Sequence, residues 1–68
     1  MVDIERLRKA YKSRGLTRAD VAKAANMNAS TFSRKIKAQG EGFTVGEVRS
    51  IVELLHLSRQ EINDIFFA

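Results

Sequence analysis

Five times along the chain, an apolar residue is followed by a small polar one, three further residues and a second apolar residue. The pattern occurs as Val2-Asp3 to Leu7, Leu16-Thr17 to Val21, Met27-Asn28 to Phe32, Phe43-Thr44 to Val48 and Leu57-Ser58 to Ile62. An oxygen on the polar side chain can accept from a free N–H of the first helical turn while the flanking apolar pair closes over it. Each occurrence therefore predicts a helix start. Thr44 with Glu47 and Ser58 with Glu61 have the spacing of full capping boxes, and Asp20 can reach back to the N–H of Thr17. There is no proline, and no alternating apolar run that would indicate a strand. The chain is expected to be all-α, one compact domain of five helices over residues 1–68.

Periodicity within the segments assigns their faces. Helix one, about residues 4 to 14, places Ile4, Leu7 and Tyr11 on one stripe with Arg6, Arg8, Lys9, Lys12 and Arg14 around it, and Gly15 ends it. So narrow a stripe favours core packing over a membrane surface. Thr17 to Lys37 reads as two short helices joined by a tight turn. The first turns Val21, Ala22 and Ala25 inward. The second, capped by Asn28, turns Phe32 and Ile36 inward and Ser30, Ser33, Arg34 and Lys37 outward. Ala22 suits a steep helix crossing that admits little more than a methyl group, Asn26 suits a left-handed exit, and Met27 is an apolar plug. Gly40 is the expected left-handed cap of the second of these helices. Helix four, roughly 45 to 55, presents Val45, Val48, Val52 and Leu55 with Ile51 beside them. Helix five, roughly 59 to 66, presents Ile62, Ile65 and Phe66, leaving Phe67 and Leu54 over. Apolar residues at this end either cover the core or pair two copies, so Leu54, Phe66 and Phe67 are the candidate dimer contacts.

Composition narrows the chemistry. The 68 residues include no cysteine and a single histidine, His56, which excludes a thiolate or zinc site on ligand count. The N-terminus lacks the order of a signal peptide and no apolar run approaches membrane-spanning length, so a soluble, cytoplasmic protein is expected. Gly40, Gly42 and Gly46 have the wrong spacing for a nucleotide-binding fingerprint. His56 and Glu53 have the spacing of an ordinary helix-surface hydrogen bond, and no nucleophile accompanies them. No catalytic constellation, cofactor or metal is expected. Net charge is +4, unevenly spread: residues 1–37 hold ten Lys/Arg against three Asp/Glu, residues 38–68 two against five. The basic half contains the paired helices of Thr17–Lys37, as expected if one face meets phosphates.

The order Leu16-Thr17-Arg18, Val21-Ala22, Asn26-Met27-Asn28 and Ser30-Thr31-Phe32-Ser33-Arg34 resembles the lambda-repressor-like, or XRE, family of helix-turn-helix proteins. The likeness is to short regulators of phages and prophages of Gram-positive bacteria, and it covers nearly the whole chain. Three positions depart from the family pattern: Arg18 replaces a usual Gln, Asn26 a frequent Gly, and Lys35 a frequent apolar residue. Lys35 is expected to lay its stem on the core edge with its charge in solvent. The resemblance implies that helices two and three form the helix-turn-helix and that helix three enters the DNA major groove. Arg34 is then the first choice for reading guanine N7 and O6. Ser30 and Ser33 can donate or accept and so specify weakly, and Ala29 offers at most a methyl contact to thymine. Thr17, Arg18, Thr31 and Lys37 are the phosphate candidates. The implied partner is a palindromic double-stranded operator, bound by a homodimer whose half-sites lie about 34 Å apart. The implied function is transcriptional regulation, as a repressor. The rival is a protein-binding adaptor or antirepressor docking through the acidic half and Phe67. RNA is disfavoured because the narrow A-form major groove excludes a helix.

Overall fold

The computed structural model describes residues 1–68 as five helices: α1 (Ile4–Ser13), α2 (Arg18–Ala24), α3 (Ala29–Lys37), α4 (Val45–Leu55) and α5 (Arg59–Phe66), with no strand. All five begin where the staple pattern places a cap. Asp3, Thr17, Asn28, Thr44 and Ser58 each accept from the backbone N–H three residues on. Thr17–Asp20, Thr44–Glu47 and Ser58–Glu61 close complete capping boxes.

The ends of four helices also share one device. Gly15, Asn26, Gln39 and His56 are left-handed, with φ of 73°, 59°, 60° and 52°. The next N–H in each case returns to a carbonyl five residues back: Leu16 to Tyr11, Met27 to Ala22, Gly40 to Lys35 and Leu57 to Val52. The closure satisfies carbonyls that a helix end leaves free, and it turns Leu16, Met27 and Leu57 back onto the core. Two expectations are corrected by it. Gln39, not Gly40, closes α3; Gly40 is buried and left-handed too, but its missing side chain matters because an added Cβ would collide with the side chain of Val2. His56 is not a helix-surface partner of Glu53: as the left-handed cap of α4 it meets Glu53 through a backbone hydrogen bond.

The core joins Leu7, Ala10 and Tyr11 of α1, Val21, Ala22 and Ala25 at α2, Phe32 and Ile36 of α3, Ile51 and Leu55 of α4, and Leu57, Ile65 and Phe66. α2 rests on α3 and α4, and α1 on α5. Ala22, 1% exposed, stands at the crowded crossing that its size predicts. Val45 does not join the core. As the first residue of α4 it projects past the packed face, 79% exposed, and the buried stripe centres on Ile51 and Leu55. Of the three dimer candidates, Phe66 completes the apolar stripe of α5 and is 6% exposed, whereas Phe67 is 70% exposed and Leu54 half-buried.

Two cations bind the helices together. The Arg14 guanidinium donates from Nε to the Leu55 carbonyl (2.6 Å), from Nη1 to the Ala10 carbonyl (2.8 Å) and from Nη2 to Glu61 Oε2 (3.2 Å). It thus joins the ends of α1 and α4 to the capping box of α5. Lys35 departs from its expected place in solvent: its Nζ lies 2.7 Å from Glu47 Oε1, both side chains about four-fifths buried, and 6.0 Å from the Phe43 ring centroid. The capping role of Glu47 brings that carboxylate beside α3, where a cation at a core-edge position gains a partner.

Candidate nucleic-acid interface

α2 and α3 are held rigidly with respect to each other. The turn Ala25–Asn28 closes by the Met27-to-Ala22 hydrogen bond (2.9 Å), while Val21, Ala22, Phe32 and Ile36 are buried between these helices and the rest of the core. At 3.6 residues per turn, burying Phe32 and Ile36 turns Ser30, Arg34 and Lys37 to the far side of α3, with Ser33 at its edge. Ser30, Arg34 and Lys37 are exposed and Ser33 is half-buried. Ala29, at the start of the helix, is exposed beside a shallow depression lined also by Ala19, Lys23, Met27 and Asn28.

The structure connects side chains that sequence reasoning assigned to separate tasks. Arg18 Nη1 donates to Ser33 Oγ across the two helices at 3.2 Å. Arg34 Nη2 donates to Thr31 Oγ1 at 3.2 Å, and Ser30 Oγ to Asn28 Oδ1 at 2.8 Å. Thr17 differs from the other phosphate candidates. Its hydroxyl accepts from the N–H of Asp20 (3.2 Å) and donates to Asp20 Oδ2 (3.0 Å), so it serves the helix start and keeps no proton for a phosphate.

Charge is distributed more selectively than the sequence totals indicate. On α1, Arg6 is paired with Asp3 (3.3 Å) and Asp64 (4.0 Å), Arg8 with Glu5 (2.8 Å), and Arg14 with Glu61. In the helix-turn-helix, Arg18, Lys23, Arg34 and Lys37 have no acidic partner. The acid of this segment is Asp20. Hydrogen bonds from the N–H and then the hydroxyl of Thr17 hold its carboxyl below the usual range, so it stays ionised and committed to the cap. Four cations are thereby left to act on whatever meets α2 and α3, while on α1 Arg6 and Arg8 are ion-paired and Lys9 and Lys12 are not. Lys23 was not singled out by sequence reasoning. Its place beside Asn28 and Ala29 follows from the helix crossing, and its spacing on α2 gives no hint of it.

The exposed parts of α2 and α3 offer donors, acceptors and positive charge, the chemistry that base edges and phosphates require. No group of acidic, histidine or cysteine side chains could hold a metal ion, and no helix is long and apolar enough to cross a membrane. A family model for the helix-turn-helix domain matches residues 5–65. No curated protein and no solved structure matches the chain.

Proposed function

The chain belongs to the helix-turn-helix domain family, and on that premise we propose that it is a cytoplasmic transcriptional regulator, a repressor of phage type, that reads operator DNA with α3 in the major groove. The observation that carries this reading is the set of cations without an acidic partner, Arg18, Lys23, Arg34 and Lys37, that the helix-turn-helix holds on two adjoining helices. A phosphate backbone rewards free positive charge, and in water at physiological salt such charges are otherwise of little use to the fold. In the proposed complex, Arg34 leaves Thr31 and places its fork on guanine N7 and O6. Ala29 lies against a thymine methyl, and Ser30 and Ser33 contact further bases. Arg18, Thr31, Lys37 and Lys23 hold phosphates. Thr17 contributes by holding the start of α2, from which Arg18 projects.

Two copies on a palindrome place their reading helices one helical turn apart. Exposed Phe67, with half-buried Leu54, supports a contact between copies. Selection from a random duplex library at near-physiological salt tests the whole proposal, because phosphate contacts alone weaken steeply there. An enriched palindrome is the expected outcome. A single half-site would remove the homodimer but keep the reader, and no enrichment would favour a protein partner docking on Phe67.

A further inference from the structure

Three hydroxyls on α3 sit in hydrogen bonds whose direction is forced. Asn28 Oδ1 accepts from the N–H of Thr31 at 2.8 Å, which identifies it as the carbonyl oxygen of the amide. Ser30 Oγ lies 2.8 Å from that same oxygen, which has no proton to give, so Ser30 is the donor. With its one proton engaged, Ser30 presents lone pairs outward. A guanidinium, by contrast, can only donate. Ser33 Oγ, 3.2 Å from Arg18 Nη1, therefore accepts and keeps its proton, and Thr31 Oγ1 does the same under Arg34. Neither hydroxyl donates to another group of the protein. The two serines share one residue type and one helix, yet they are wired with opposite polarity.

We infer that this wiring fixes what each serine reads: Ser30 acts as an acceptor selecting an exocyclic amino group, and Ser33 as a donor selecting a ring-nitrogen or carbonyl acceptor. The inference rests on the major-groove reading proposed above. In that groove adenine N6 and cytosine N4 are the amino groups, while purine N7, guanine O6 and thymine O4 are the acceptors. Arg18 is then a positioning residue for Ser33 as well as a phosphate contact, since it takes one lone pair of Oγ and leaves the hydroxyl proton for a base. Asn28 is the positioning residue for Ser30. The departure of Arg18 from a neutral amide at this position gains a consequence: an amide oxygen could take the Ser33 proton, whereas a guanidinium, with no acceptor, always leaves it free.

Because every base pair carries both an amino group and an acceptor in the major groove, base identity cannot separate the alternatives and functional-group deletion must. The operator enriched from the library is the probe. Ser30→Ala and Ser33→Ala each locate one base by the loss of preference there, and each is expected to weaken binding about two- to tenfold, the range of a single hydrogen bond. That base is then replaced by an analogue lacking its amino group (purine for adenine, 2-pyrimidinone for cytosine) or its acceptor (a 7-deazapurine). Amino deletion should abolish the difference between wild type and Ser30→Ala and leave that of Ser33→Ala intact; acceptor deletion should do the reverse. Arg18→Gln, whose amide oxygen can take the Ser33 proton, should weaken the acceptor requirement at the base located by Ser33 while the amino requirement at that located by Ser30 persists, and Arg18→Lys, a pure donor, should keep it. Reversed sensitivities, or serine variants that bind like wild type, would overturn the inference while leaving the major-groove reading standing. A library with no enriched sequence would overturn that reading and the inference with it.

Discussion

Lys35 stands where an apolar residue would pack, and it is accommodated by its partner. Glu47 receives its ammonium at 2.7 Å and, through the same oxygen, the N–H of Thr44 at 2.9 Å. The Lys35 hydrogen bond first, and the Thr44 N–H second, hold the Glu47 carboxyl below its ordinary value of 4.5. Glu61, through the N–H of Ser58 and then Arg14, and Asp20, through Thr17, are lowered too. Carboxyls lowered by folding bind fewer protons folded than unfolded, so their contribution is complete above the unfolded values and is lost as pH falls through the folded ones. Urea denaturation between pH 7 and pH 3 should therefore show stability flat in the neutral range and falling below about pH 4.5. Lys35→Met should destabilise at pH 7 by about 1–3 kcal/mol, because it leaves the mostly buried Glu47 without its cation, and it should make the acid limb shallower. An unchanged acid limb would mean that Lys35 does not set the Glu47 proton affinity. His56 makes a separate residue-scale case. Its Cβ is carried at φ 52°, a conformation that glycine adopts without strain, so His56→Gly should stabilise the fold by about 0.5–1 kcal/mol, seen as a raised denaturation midpoint at constant m.

Each helix carries its own start and stop, and the closure of α3 shows how the two are tied to neighbours. Gln39 makes the left-handed turn, Gly40 returns its N–H to Lys35 at 2.8 Å, and Val2 lies on the bare face of Gly40. The N-terminal segment is held there from its other side by the N–H of Asp3 donating to the Ile65 carbonyl at 2.6 Å. Gly40→Ala meets both a positive φ and the Val2 side chain, and should destabilise by about 2–3 kcal/mol. Adding Val2→Gly should recover the steric part and leave the backbone part. A double variant no more stable than Gly40→Ala alone in thermal denaturation would show that Val2 is not the obstacle. The distant end of the fold is joined comparably by Arg14, whose contacts to Ala10, Leu55 and Glu61 span three helices. A basic residue on an amphipathic helix looks the same in sequence whether it faces DNA, solvent or two helix ends.

At the scale of the molecule, 28 × 24 × 20 Å, the decisive quantity is which cations are free. Each phosphate contact contributes about 0.9 to the slope of log K against log salt, so Arg18→Ala and Lys37→Ala should each lower that slope by about 1. Arg8→Ala, which removes a charge already paired with Glu5, should leave the slope nearly unchanged. Equal effects from all three, in a salt titration of operator binding, would mean that net charge rather than the arrangement on α2 and α3 drives association. The sequence by itself determined the five helices, their caps and most of the core, because capping and helical periodicity act over three or four residues and are written contiguously. It also determined the helix-turn-helix and the outward set Ser30, Arg34 and Lys37, since burying Phe32 and Ile36 leaves those residues no other face; Ser33, expected among them, is half-buried at the edge of that face. It could not determine that Arg18 meets Ser33, that Lys35 meets Glu47, that Arg14 ends in the fold, that Phe66 turns inward beside an exposed Phe67, or that Gly40 answers to Val2. Those facts join residues from 12 to 47 positions apart, or depend on where a neighbouring helix ends. Only the packing of one helix against another brings such side chains within hydrogen-bond or van der Waals reach, and so only the tertiary structure decided them.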